Sequence, residues 1–65
     1  MTKLKQIREA KGISQAKLSE LSEVNIRMIQ HYEQGVKDIN KANVYTVYRL
    51  ATALECDIKE IIETT

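Results

Sequence analysis

The stretch from residue 15 to residue 34 constrains the fold of this chain most strongly, because its apolar residues fall into two blocks that each follow a helical period. The two stripes consist of Ala16, Leu18 and Leu21, and of Ile26, Ile29 and Tyr32. Ser22, Glu23 and Val24 interrupt the pattern between them. The pattern predicts two short helices joined by a tight turn. Helices of this length are not stable alone, so both must pack on other segments, and a steeply angled pair can hold one helix outward.

The composition is that of one small, all-helical domain. Of the 65 residues, 43% are hydrophobic and 29% are charged, with no proline and two glycines. Such a chain builds only a small core, near the size at which folding alone is marginal. We expect no membrane span, because no apolar run approaches roughly 20 residues, and no signal peptide. The lone Cys56 fits a reducing interior, since it cannot form an internal disulfide.

Capping residues and apolar spacing predict five helices. The expected N-caps are Thr2, Ser14, Asn25, Asn43 and Asp57, the last in a capping box with Glu60. The first helix should cover about residues 3–11 and stop at Gly12, and the fourth should run from residue 44 to about residue 54. The expected inner stripe of the fourth helix is Val44, Val47, Leu50, Ala51 and Leu54, with Tyr45 and Tyr48 nearer the surface. Ile39 is expected at the edge of the core.

The central stretch resembles the helix-turn-helix of the Cro/C1-type, or XRE, family. There the match rests on Gln15, Leu18, Val24, Ile29 and the run 32–35. Residues 4–15 resemble the opening of the family's domain, and residues 48–54 resemble its fourth helix. The resemblance implies an all-α, compact five-helix, lambda-repressor-like DNA-binding domain over residues 1–65. Its helix-turn-helix spans residues 15–34, and its recognition helix, about residues 26–34, enters the major groove.

The sequence departs from the family in the turn. Many relatives carry a glycine where this chain has Glu23, and a small alanine where it has Ser19. Glycine suits the turn because it tolerates positive φ, so Glu23 predicts either a strained residue or a slightly different turn. Both alternatives leave the expected fold unchanged.

The outward face of the second motif helix holds the candidate base-reading residues. With Ile29 and Tyr32 turned inward, four residues face outward. They are Ile26, Arg27, Gln30 and His31. The resemblance places base contacts at Ile26, Arg27 and His31. Arginine can bond guanine O6 and N7 together, isoleucine can pack on a thymine methyl, and histidine can donate to a base acceptor or a phosphate. A partly buried helix-start position is the alternative interpretation of Ile26.

Other residues are candidates for contacts to the DNA backbone. Gln15 stands in the first turn of its helix, where free amides and the helix dipole favour a phosphate, and the resemblance implies the same role. Asn25 and Met28 can reach the flanking backbone. Because the family's loop after the recognition helix runs along the DNA, the candidates in the loop 35–42 are Lys37, Asn40 and Lys41. Ordinary solvent exposure is the alternative for Gln15 and for the lysines.

The resemblance also implies a structural ion pair between Arg8 and Glu33, which would tie the first helix to the end of the third. A nearly buried pair of this kind adds little stability by itself but is costly to break on one side only. Contact of Arg8 with a DNA phosphate is the alternative.

Charge is unevenly distributed, although the net charge is only +1. Residues 55–65 carry −3, so residues 1–54, which include the motif, carry +4. Lysines that merely solvate a small domain would also explain this pattern.

The last helix holds more isoleucine than one side of a small core needs. We therefore expect the last helix to supply a dimer interface, as the last helices of related repressors do. The candidate residues are Leu54, Ile58, Ile61 and Ile62.

The sequence thus predicts a small bacterial or phage transcriptional regulator, a repressor, that binds double-stranded DNA at a short inverted repeat as a homodimer in the bacterial cytoplasm or nucleoid. The alternative is a protein–protein interaction module of the same fold without specific DNA reading, which Glu23 and the low net charge favour. An enzyme is not expected, because one Cys, one His and no Gly-rich phosphate loop assemble no catalytic set. We expect no metal, no cofactor and no small-molecule ligand.

Overall fold

A computed structural model of the chain describes residues 2–63. Over that range the backbone forms five α-helices and one 3₁₀ turn, with no strand. The elements are α1 (Lys3–Ala10), α2 (Gln15–Ser22), α3 (Ile26–Gln34), the 3₁₀ turn (Ile39–Lys41), α4 (Val44–Ala53) and α5 (Ile58–Ile61). The predicted all-α class with five helices is confirmed.

The helices begin where short polar side chains cap them. The side-chain oxygens of Thr2, Ser14, Asn25 and Asn43 accept hydrogen bonds from the backbone amides of α1, α2, α3 and α4 respectively. At α5, Asp57 and Glu60 form the predicted capping box, in which Glu60 Oε2 accepts from the Asp57 amide at 2.7 Å. Gly12 and Gly35 end α1 and α3 with positive φ, a conformation that costs glycine nothing. All five predicted N-caps are confirmed.

The core lies among the five helices, with α4 packed on α2 and α5 and with α1 packed on α3 and α5. Helix α2 packs on both α3 and α4, and α5 packs on α4 and α1. The largest fully buried side chains are Leu4, Leu18, Ile29, Leu50, Leu54 and Ile61. Burial of each such side chain contributes about 1.5–3 kcal/mol relative to exposure. Ile39 from the 3₁₀ turn joins this core, as expected, and so closes the loop that follows α3.

The predicted inward face of α2 is wrong in two positions. Ala16 is exposed and Leu21 is 50% exposed, whereas Ser22 is buried beside Leu18. Leu21 and Ser22 both lie about one turn after Leu18, and Ser22 is on the buried side of α2 whereas Leu21 lies at its exposed margin. Ser22 is tolerated there because its Oγ donates to the Leu18 carbonyl at 2.7 Å and accepts from the Val24 amide at 3.2 Å.

The inward face of α4 and the expected dimer interface also need correction. Val44 is exposed, so the buried face of α4 starts at Val47. Leu54 and Ile61 lie fully inside the core of their own chain, and Ile62 packs against that core. Three of the four residues expected at a dimer interface are therefore engaged within the monomer, and only Ile58 is exposed. The apolar excess of the last helix serves this small core.

A buried ion pair joins α1 to the end of α3. Arg8 Nε donates to Glu33 Oε2 at 2.7 Å, and a second guanidinium nitrogen donates to Oε1 at 3.1 Å. The remaining terminal nitrogen donates to the Ile13 carbonyl at 2.7 Å, which fixes the segment before α2. The hydrogen bond to Glu33 raises the pKa of Arg8 above its usual value. Arg8 is thus held inside the protein and not offered to a phosphate.

The turn between α2 and α3 is built on a strained residue. Glu23 has φ 59° and ψ 26°, which is left-handed backbone. Its amide donates to the Ser19 carbonyl at 2.9 Å, and Ser19 Oγ donates to the Val24 carbonyl at 2.6 Å. Ser19 therefore braces the turn. Of the two alternatives for Glu23, strain is the one observed, because the backbone takes the conformation that glycine would adopt freely.

We expect Glu23→Gly to raise the free energy of unfolding by up to about 1 kcal/mol, because relief of about 1–2 kcal/mol of left-handed strain exceeds the added chain entropy of glycine. Urea denaturation followed by circular dichroism measures the change. Glu20→Gly is the matched control, since the same substitution in the middle of α2 should cost about 1 kcal/mol. Equal destabilisation by the two variants would contradict strain at Glu23.

We expect Glu33→Gln to lower the free energy of unfolding by about 3–5 kcal/mol, because it leaves the buried Arg8 charge without a counter-charge. Glu20→Gln removes the carboxylate of an exposed pair with Lys17, 3.5 Å long, and should cost less than about 1 kcal/mol. The double variant Arg8→Met with Glu33→Leu should be more stable than Glu33→Gln. If Glu33→Gln and Glu20→Gln unfold at the same urea concentration, the ion pair does not hold α1 and α3 together.

Candidate nucleic-acid interface

Packing inside the helix pair decides which face of α3 looks outward. Ile29 is fully buried and Tyr32 is buried beside it, so both turn toward α2 and the core. The opposite face carries Ile26, Arg27, Gln30 and His31. This arrangement presents the predicted base-reading residues on one continuous surface of a short, rigidly held helix.

Arg27 is the most available residue of this surface. It is the second residue of α3, its side chain is exposed, and its guanidinium has no hydrogen bond or ion pair within residues 2–63. The Asn25 side chain accepts from the Arg27 backbone amide at 2.8 Å and so fixes the start of the helix. Asn25 acts first as a cap, which leaves its side-chain amide nitrogen for any contact with a phosphate.

The two apolar candidates on α3 differ in their surroundings. Ile26 is half-buried at the helix start, so part of its side chain remains at the surface. Met28 is half-buried as well, but its side chain packs against the core. The expected contact of the Met28 side chain with the DNA backbone is therefore not supported by its position. Of these two residues, only Ile26 leaves apolar side-chain surface exposed next to Arg27.

His31 offers one ring nitrogen to a ligand. The residue is half-buried, and its Nδ1 is enclosed without a hydrogen-bond partner in the described part of the chain. Nε2 is therefore the ring nitrogen of His31 that can form a hydrogen bond with a ligand approaching α3.

Gln15 is held by the ion pair and does not stand free in the first turn of α2. Its Nε2 donates to Glu33 Oε1 at 2.9 Å, so the residue bridges α2 to the Arg8–Glu33 pair. Its Oε1 lies 3.5 Å from Gln30 Nε2, at the outer limit of a hydrogen bond. One N–H of the Gln15 amide remains for an outside acceptor, in a fixed direction.

Gln30 lies on this surface but was not among the predicted base contacts. It lies on the outward face of α3, between Ile26 and His31 in the helical repeat, and it approaches Gln15. The helical period alone was enough to place it there, since residues 26, 27, 30 and 31 share one face. Gln30 therefore belongs to the same surface as the three predicted base contacts.

The loop after α3 contributes two free cations and one engaged amide. Lys37 and Lys41 are exposed and have no ion pair within residues 2–63. The Asn40 side chain is different, because its Nδ2 donates to the Glu63 carbonyl and its Oδ1 accepts from the Glu63 amide at 2.8 Å. The Asn40 side chain is thus held by the C-terminal segment, and one N–H of its exposed amide remains for the expected phosphate contact, which stays a prediction.

Other kinds of site find no support in the described part of the chain. Residues 2–63 contain no group of three His, Cys, Asp or Glu side chains that could hold a metal ion. Burial raises the pKa of the half-buried Cys56 thiol, which makes it less reactive than an exposed cysteine. None of the helices there is long and apolar enough to span a membrane.

Comparison with known proteins bears on the same residues. Neither curated proteins nor solved structures gave a match to this chain. A family model described as helix-turn-helix matches residues 4–61, a span that includes α1 to α5 apart from the first residue of α1. The match covers the Arg8–Glu33 pair, the strained turn and the outward face of α3. The chain therefore belongs to the Cro/C1-type helix-turn-helix family, a family of DNA-binding domains.

Proposed function

We propose that this protein is a small bacterial or phage transcriptional repressor that reads a short inverted repeat in double-stranded DNA through α3. The observation that carries the proposal is the free Arg27 guanidinium on the outward face of α3. An unpaired arginine on a rigid, outward helix is suited to bidentate recognition of guanine in the major groove. Membership of a DNA-binding family supports the same partner.

The neighbours of Arg27 supply complementary chemistry. Ile26 presents an apolar edge that fits a thymine methyl, and Nε2 of His31 can donate to guanine or adenine N7 when it carries a proton. Three different side chains on one face can therefore distinguish a few adjacent base pairs. Each good contact of this kind contributes about 1–3 kcal/mol of discrimination.

Contacts to phosphate fix the position of α3 in the groove. The remaining Gln15 N–H stands at the start of α2, where the helix dipole favours an anion. Lys37 and Lys41 follow the C-terminal end of α3, and their exposed side chains are free to reach the DNA backbone. Phosphate contacts of this kind set the register of the helix without reading sequence themselves.

A single α3 is too short to select one site in a genome, so we propose that two copies act together. A two-fold dimer places two recognition helices about 34 Å apart, on successive turns of one DNA face, and so reads an inverted repeat. A compact dimer seated on a promoter blocks access to it, which is the simplest route to repression. The protein then acts in the compartment that holds the DNA.

We expect Arg27→Ala to lose preference at one base pair of each half-site, with a cost of about 1–3 kcal/mol per contact, because it removes a base-reading group. Lys37→Ala should weaken binding to all sequences alike and reduce the salt slope by about 1, since it removes a phosphate contact. Lys59→Ala, on α5, is the matched control and should bind as the wild type does. Selection of bound duplexes from a random pool, followed by titrations at several salt concentrations, measures all three.

The alternative function, a protein-interaction module without DNA reading, makes the opposite prediction. It requires that no duplex be enriched and that any residual affinity depend little on salt, because no counterions would be released from phosphates. Wild-type protein and Arg27→Ala would then behave identically toward every duplex.

A further inference from the structure

The segment after α5 returns to the loop that follows α3, where it holds the side chain of Asn40. Asn40 Oδ1 accepts a hydrogen bond from the Glu63 amide at 2.8 Å, and Asn40 Nδ2 donates to the Glu63 carbonyl. One side-chain amide thus bonds both main-chain polar groups of a single residue that lies 23 positions away in the chain. This pair of hydrogen bonds is here called the Asn40–Glu63 clamp.

Both sides of the clamp are anchored on the core. Ile39, the residue before Asn40, is buried in the core. On the other side, Ile61 is fully buried and Ile62, the residue before Glu63, packs against the core. The clamp therefore holds the Asn40 side chain in one position relative to the rest of the domain.

The Glu63 carboxylate has a partner of its own. Its Oε1 accepts from the Lys3 backbone amide at 2.7 Å, at the start of α1, where the helix dipole favours a negative charge. The side chain of Glu63 thus contacts α1, whereas its main chain contacts Asn40. Because the two contacts are separate, a substitution can remove one and keep the other.

The clamp also fixes which way the Asn40 amide faces. Its oxygen accepts from an N–H and its nitrogen donates to a carbonyl, so a half-turn of the amide would lose both hydrogen bonds. Because both bonds go to one residue, they use the oxygen and one N–H on the same edge of this planar group. The second N–H points away from Glu63, and since Asn40 is exposed, this donor is open to an outside acceptor.

The open N–H lies in the loop that also carries two cations. Lys37 and Lys41 are exposed and have no ion pair within residues 2–63. We propose that Glu63 is a positioning residue for DNA binding, whose main chain directs the free Asn40 N–H toward a backbone phosphate. This inference rests on the proposed function and deepens it, because it adds the C-terminal segment to the groups that set the position of α3 on DNA.

The advantage of the clamp is that it immobilises the Asn40 side chain before DNA binds. Without it, binding would have to order that side chain, at a cost that corresponds to about a two- to tenfold loss of affinity. The amide carries no charge, so its contact with a phosphate releases no counterion and leaves the salt slope unchanged. Lys37→Ala differs in this respect, because it removes a cation.

Glu63→Pro and Glu63→Ala are a matched pair of variants. Both remove the carboxylate, but only proline also removes the main-chain N–H that donates to Asn40. Proline fits here because Ile62 already has φ −78° and ψ 147°, the extended backbone that a residue before proline adopts. The Glu63 amide donates to Asn40 and not to α5, so proline removes no helix bond. Circular dichroism and urea denaturation check that the variants are folded.

Titration of the selected duplex and of unrelated duplexes at several salt concentrations gives the deciding result. We expect Glu63→Pro to raise the Kd for every duplex about two- to tenfold, and Asn40→Ala to raise it at least as much, both with an unchanged salt slope. Glu63→Ala should bind as the wild type does. The double variant Asn40→Ala with Glu63→Pro should bind no more weakly than Asn40→Ala, because the two changes remove the same contact. A merely structural clamp would lower the urea midpoint and leave the DNA affinity of the folded protein unchanged.

Equal affinities of Glu63→Pro and Glu63→Ala overturn the inference, because the main-chain N–H of Glu63 then has no part in DNA binding. Wild-type affinity of Asn40→Ala overturns it as well, and leaves the DNA-reading proposal intact when Arg27→Ala still changes the base preference. A wild type that enriches no duplex removes the proposed function and this inference together. The two failures are therefore distinguished by whether the wild type selects DNA.

Discussion

The buried pair between Arg8 and Glu33 is the interaction on which the rest of this small structure depends. Its two charges are taken from water and are compensated by each other, by the Ile13 carbonyl and by the Gln15 amide. Arg8 lies on α1 and Glu33 in the last turn of α3. Ile13 precedes α2, and Gln15 is its first residue. A single polar cluster thus fixes the relative positions of three helices, which a core of a few leucines and isoleucines could not do as specifically.

This cluster helps to determine which face of α3 points outward. Leu18, Ile29 and Tyr32 bury the inner side of the helix pair, and the left-handed Glu23 sets the angle at which α3 leaves α2. The outer side is then determined, with Arg27 free and with Gln15 held in a constant direction by Glu33. The strain at Glu23 lies beside the proposed DNA-reading surface and is offset by the bracing bonds of Ser19 and Ser22.

Local signals in the sequence were sufficient to predict the helices but not their long-range packing. Every N-cap was predictable, because a cap depends on residues within three positions of each other. The inner face of α2 was predictable only at Leu18, since the burial of Ser22 in place of Leu21 depends on how α2 packs on α3 and α4. Asn40 could not be assigned because its partner, Glu63, lies 23 residues away. Likewise, the isoleucines of the last helix suggest an interface in the sequence. In the structure Ile61 is buried in the small core and Ile62 packs against it.

We propose that the outward face of α3 is the surface that meets DNA. Titration of ¹⁵N-labelled protein with the selected duplex, followed by amide chemical shifts, tests it residue by residue. We expect the largest shifts to fall on residues 26–31, on the start of α2 and on residues 36–41, at a moderate salt concentration. Shifts confined to residues 44–48 and 58, or none at any ratio of duplex to protein, would contradict it.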